Sequence, residues 1–150
     1  MRMIDKSDIL TSLKAAFTQT FFAQITDVNT MENDCLQPDE CGLASLDFSG
    51  DYAGEMLMSL KKPQVQCATQ YVLQKFGIDV PMQPEIIFTE ILNICAGRMS
   101  IEMEKYGAVF HITAPKNQWD FPSGQTPVSY AADIATDQGF SIKFCFYLRN

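Results

Sequence analysis

The stretch from residue 84 to residue 105 constrains the fold of this chain more than any other. It opens on Pro84, which a first helical turn tolerates because the missing N–H would have no partner there, and it stops short of Gly107. Between them Phe88, Leu92, Cys95, Met99 and Met103 recur at helical spacing. On a wheel of about 100° per residue these five gather opposite Glu90, while Asn93, Gly97 and Glu104 lie within about 60° of it. A helix with opposed apolar and polar stripes must lay the apolar one on other structure, so the remaining chain has to supply a core. The 150 residues, 47% of them hydrophobic, suffice for one such domain over 1–150.

The rest of the chain reads as an α+β fold. Ile9, Leu10, Leu13, Ala16, Phe17, Phe21 and Ile25 stand at helical spacing behind Ser7 or Asp8 as cap, and predict a first helix over 7–27. The polar, acidic segment 29–40 predicts an exposed loop. Segments 42–48 and 53–60 predict two strands joined as a hairpin around Ser49-Gly50-Asp51. Pro63 opens a second helix that runs to Phe76, with Gly77 as its stop. Three more strands are predicted over 108–113, 128–135 and 140–148, with a loop over 114–126 and a turn over 136–139. The order hints at a duplicated helix-plus-strands arrangement, though not at the spacing of a solenoid.

Charge and composition narrow the partners. The net charge is −7, and no basic cluster exceeds Lys61-Lys62, which argues against nucleic acid and anionic membranes and leaves room for a protein partner. No apolar run reaches the roughly 18 residues of a membrane span, and the first residues lack a signal-peptide core, so a cytoplasmic location is expected. Cys35, Cys41, Cys67, Cys95 and Cys145 form no Cys-x-x-Cys pair and have no histidine at zinc spacing. They read as reduced thiols, with no metal site expected.

The candidate chemistry lies on the helix over 84–105. Glu90 and Asn93, three apart, project side by side from its polar face, and Gly97 leaves room beside them. Such a flat polar stripe suits a protein partner better than a small molecule. The bare Glu-x-x-Asn spacing carries little, and ordinary solvent-exposed residues are the simpler reading of it. An asparagine in mid-helix nevertheless costs about 0.5 kcal/mol against alanine, which asks for a reason. His111, the one histidine, has no partner pattern for a triad and reads as structural. Ser123-Gly124-Gln125 is a loop sequence, and no phosphate-binding, dinucleotide or calcium-loop pattern occurs. Glu32, Asp34, Asp39 and Glu40 read as a solvated acidic loop, and Trp119 and Phe121 beside Pro122 as packing under a loop.

The segment Phe88-Thr-Glu-Ile-Leu-Asn-Ile-Cys-Ala-Gly-Arg98 resembles the signature helix of the CheX, CheC and FliY group of chemotaxis phosphatases. The order of parts agrees too: Gly50-Asp-Tyr-Ala-Gly54 before a strand, Lys62-Pro63 opening a helix that ends in Phe76-Gly77, then Ile112-Thr-Ala-Pro115 and a loop with Ser123-Gly124. The resemblance runs from about Ala44 to the C-terminus. It implies a mixed sheet packed by helices, and a partner that is a phosphorylated, CheY-like response regulator. It also implies that Glu90 pairs with an invariant lysine of the regulator, while the amide of Asn93 orients a water for in-line attack on the phosphoaspartate. Glu90 and Gly97 would meet the partner. No cofactor is expected on this chain, since the magnesium belongs to the regulator, and a homodimer through the sheet is expected as in CheX. The first helix carries no Glu-x-x-Asn, so one active face per chain is expected. A non-catalytic module of the same fold, docking without hydrolysis, is the alternative.

Overall fold

The computed structural model describes residues 6–21, 24–32, 37–116 and 128–149. Their elements run α1 (Lys6–Phe21), β1 (Ile25–Glu32), β2 (Glu40–Gly50), β3 (Ala53–Lys61), a 3-10 turn (Lys62–Gln64), α2 (Val65–Lys75), α3 (Pro84–Glu104), β4 (Phe110–Ile112), β5 (Val128–Thr136) and β6 (Ser141–Arg149). The α+β expectation is borne out. The strands form one sheet in the order β1-β5-β6-β3-β2-β4, and every pairing is antiparallel, so the sheet expected as mixed has a single sense.

That order is symmetric. Exchanging β1 with β4, β2 with β5 and β3 with β6 reverses it and leaves it unchanged, which places a pseudo-two-fold axis between β3 and β6. The halves are α1-β1-β2-β3 and α3-β4-β5-β6. The sequence reading found two strands in the first half against three in the second, and the missing one is β1. A bulge between Ile25 and Asp27 explains the omission: it shifts the alternation, so Ile25 and Val28, three apart, both pack on the core. Ile25 stands four residues after Phe21, so helical spacing led to the expectation that α1 reaches residue 27, but it stops at Phe21, and part of the expected acidic loop is strand.

The core lies between the helices and one face of the sheet. Along β6 the alternation of a strand sends Ile142, Phe144 and Phe146 to the helices. Phe17 stacks on Phe21 with ring centroids 4.5 Å apart and meets Phe144 edge-on at 6.1 Å. Phe48 likewise stacks on Phe110 at 5.0 Å. On the other face Leu57, Ala131, Cys145 and Tyr147 form a second buried cluster. Cys145 is disulfide-bonded, so the expectation of five reduced thiols fails there, while Cys41, Cys67 and Cys95 are free.

Two expectations about polar residues change with the fold. Glu40 is no solvated loop residue: it begins β2, is buried, and makes an ion pair with Lys143 of β6 across β3, with Ser59 donating to its second oxygen at 3.4 Å. The strand expected over 108–113 is shorter, but its continuation stays beside β2 through Thr113 N–H to the Asp47 carbonyl at 2.9 Å and Lys116 N–H to the Ser45 carbonyl at 2.8 Å. Asp34, Trp119, Phe121, Pro122 and Ser123-Gly124 lie outside the described residues.

Candidate functional site

Helix α3 is fixed at both ends by local sequence. Pro84 occupies its first turn, and at the far end Gly107 takes a φ of 77° that residues with a Cβ avoid. The chain reversal there is sealed by Ala108 N–H to the Met103 carbonyl at 3.1 Å and Gly107 N–H to the Glu104 carbonyl at 2.9 Å, the two bonds of a Schellman turn.

The helix then buries the face that the periodicity predicted. Phe88, Leu92, Cys95, Met99 and Met103 are fully buried, joined by Ile87, Ile91 and Ala96. Three contacts hold it to its neighbours. The hydroxyl of Ser100 donates to the Phe110 carbonyl of β4 at 2.6 Å, Arg98 Nη1 donates to Thr20 Oγ1 of α1 at 3.3 Å, and Gln19 Nε2 donates to Glu102 at 3.4 Å. A helix held along its length in this way presents its outer side chains on a rigid base.

On the outer face Glu90 and Asn93 are both exposed, one turn apart, and neither makes a hydrogen bond or ion pair with any described residue. Gly97 lies one turn beyond Asn93, and a Cβ built there meets nothing within 4 Å. The glycine is not required by internal packing, so the gap faces outward.

The stripe is less polar than the sequence reading held. Ile86 and Ile101 stand on it at 47% and 60% exposure, and Ile94 is half-buried between them. The same wheel places all three within about 40° of Glu90, so the signal was present in the spacing, although the sequence reading named only the polar residues of this face. Apolar side chains flanking a short polar centre are a composition that protein-docking surfaces favour.

Cys95, two residues from Asn93, offers no nucleophile. Burial pushes its thiol up to about 12, with the Thr20 hydroxyl and the Arg98 guanidinium acting weakly against that. His111 is exposed on the edge strand β4, paired in register with Ser49, and its imidazole has no hydrogen-bond partner among the described residues. Among those residues no three His, Cys, Asp or Glu side chains gather as a metal site, and no helix is long and apolar enough to cross a membrane.

No family model and no curated protein sequence matches the chain. Solved structures do. A chain of the CheX–CheY–BeF3–Mg2+ complex from Borrelia burgdorferi is similar at a TM-score of 0.66 and 13% identity, over 99% of this chain and 100% of that one. CheX from Desulfovibrio desulfuricans is similar at 0.64 and 15% identity, over 93% and 97% of the two chains. FliY from Thermotoga maritima follows at 0.62 and 12% identity, over 97% and 92%. At these identities the likeness is one of backbone architecture, and it runs nearly end to end: this chain has the fold of the CheX and FliY chemotaxis proteins.

Proposed function

We propose that the chain is a CheX-like phosphatase, one domain over residues 1–150, that hydrolyses the phosphoaspartate of a CheY-like response regulator. One observation carries this reading: Glu90 and Asn93 stand side by side, without partners among the described residues, on the outer face of a firmly held helix in a fold shared with a chain crystallised in a CheX–CheY complex.

The chemistry asks little of the chain. An acyl phosphate is already activated, and the magnesium that neutralises its charge is the regulator's own. What remains is to place a water in line with the phosphorus and to hold the partner. The amide oxygen of Asn93 accepts one proton of that water and turns a lone pair toward phosphorus. Glu90 anchors the regulator by pairing with a lysine beside the phosphorylated aspartate. Ile86, Ile101 and the open space at Gly97 receive the partner's surface. No thiolate, histidine base or metal of this chain takes part.

On the same reading the protein works in the cytoplasm, where response regulators are found, and forms a homodimer through its sheet. The open edge strand β1, eight residues long, would allow a second sheet to pair with it. The apolar flanks of the α3 stripe favour a second reading, in which the surface docks on a regulator without hydrolysing anything.

The test is the decay of each phosphorylated response regulator of the same cell, with the parent and with Asn93→Ala. Acceleration by the parent alone supports the phosphatase and gives the amide its role. Binding without acceleration by either protein leaves the docking module, and neither binding nor acceleration overturns both readings.

A further inference from the structure

Arg98 follows Gly97 on α3 and lies about 80° round the helix from Glu90, on the flank away from Asn93. Its side chain is half-buried in the seam between α1 and α3, where Nη1 donates to Thr20 Oγ1 at 3.3 Å. A guanidinium has five N–H donors and is always charged, so one long bond to a neutral hydroxyl leaves most of its capacity unused. Among the described residues no carboxylate serves as its counter-ion. The nearest along the helix, Glu102, is taken by Lys105 at 3.0 Å and by Gln19 at 3.4 Å.

The guanidinium is half-buried, unlike the exposed side chains of Lys14, Lys61, Lys62, Lys75 and Lys116. It stands beside the open space at Gly97 and next to Ile94 and Ile101 on the surface assigned above to docking. A partner seated there would exclude water from the guanidinium, which strengthens a charge-assisted bond to a carboxylate and penalises a partner without one. The phosphoryl group is not the matching anion, because Asn93 faces the opposite flank of Glu90.

We infer that Arg98 binds an acidic side chain of the docked response regulator and acts as a docking and specificity residue, outside the hydrolysis itself. The inference rests on the docking orientation proposed above. Its rival is a purely structural Arg98 that pins α1 to α3 through Thr20. The two differ in what Thr20→Val does: it removes the acceptor and leaves the charge.

The experiment titrates parent, Arg98→Glu, Arg98→Lys, Thr20→Val and Asn93→Ala proteins against the beryllofluoride–magnesium form of the cell's receiver domains. The dissociation constant is read at low and high salt, and regulator dephosphorylation is followed alongside. Arg98→Glu is expected to weaken binding by about tenfold or more, mostly at low salt, with Arg98→Lys between it and the parent. Thr20→Val should bind within about twofold of the parent, and the turnover of saturated Arg98→Lys should match the parent's. Arg98→Glu binding like the parent would overturn the inference, as would Thr20→Val binding as poorly as Arg98→Glu. If Asn93→Ala retains turnover while Arg98→Glu loses binding, the hydrolytic role of the amide fails and the docking role of Arg98 stands. A parent that binds no receiver overturns both.

Discussion

Thr11 stands on α1 where Glu90 stands on α3. The two helices are buried in the same register: Ile9, Ser12, Leu13, Ala16, Phe17 and Thr20 disappear into the core at the places where α3 buries Phe88, Ile91, Leu92, Cys95, Ala96 and Met99. The outward positions correspond as well, with Thr11, Lys14 and Thr18 in place of Glu90, Asn93 and Gly97. The pseudo-two-fold of the sheet thus extends to the helices, but the α1 face has neither acid, nor amide, nor gap. Calorimetric titration with an activated regulator is expected to give one regulator per chain, and Asn93→Ala should leave no residual acceleration. A stoichiometry of two would show α1 to be a second docking face.

Gly97→Ala separates folding from docking. The added methyl meets nothing within 4 Å, and alanine is favoured over glycine in a helix by about 0.5–1 kcal/mol. Urea denaturation should therefore show the variant to be more stable than the parent by roughly that amount, while its affinity for the regulator falls. A less stable variant would mean that the glycine serves the fold of this chain.

Cys95 makes stability depend on alkaline pH. Its folded-state pKa is raised to about 12, above the value near 9 of an exposed thiol. The unfolded chain therefore loses this proton first as pH rises. Stability from the buried neutral thiol is fully present below about pH 9 and is lost progressively toward pH 12, with a slope of up to about 1.4 kcal/mol per pH unit. Denaturation curves taken at about pH 8 and about pH 10 should diverge less for Cys95→Ala than for the parent. Equal divergence in the two proteins would place the titration elsewhere.

The ion pair of Glu40 with Lys143 is shielded from water, with side-chain exposures of 5% and 7%. Lys143→Met leaves the buried Glu40 carboxylate without its cation and should cost about 3–5 kcal/mol, and Glu40→Leu should also destabilise the fold. The double replacement Glu40→Leu with Lys143→Met should recover most of that loss, because an apolar pair carries no desolvation penalty. Thermal denaturation of the four proteins closes the cycle, and additive losses would show that the two residues act independently.

The sequence by itself determined α3, its buried stripe, the hairpin around Gly50 and the pairing of Glu90 with Asn93 on one face. Each of these depends on spacing along a single element, and a helical repeat or a turn residue is legible within a few positions. Only the tertiary structure decided that residues 25–32 form a strand, since a bulge and the neighbour β5 determine which side chains of β1 meet the core. It also decided that Glu40 is paired rather than solvated, that Ile86 and Ile101 face outward beside the polar centre, and that Arg98 has no carboxylate partner among the described residues. Those outcomes depend on residues distant in sequence, Glu40 and Lys143 or Thr20 and Arg98, brought together by the sheet and by the packing of α1 on α3. No local pattern encodes such a meeting, because burial and charge compensation are properties of the assembled core and not of the segment that contributes to it.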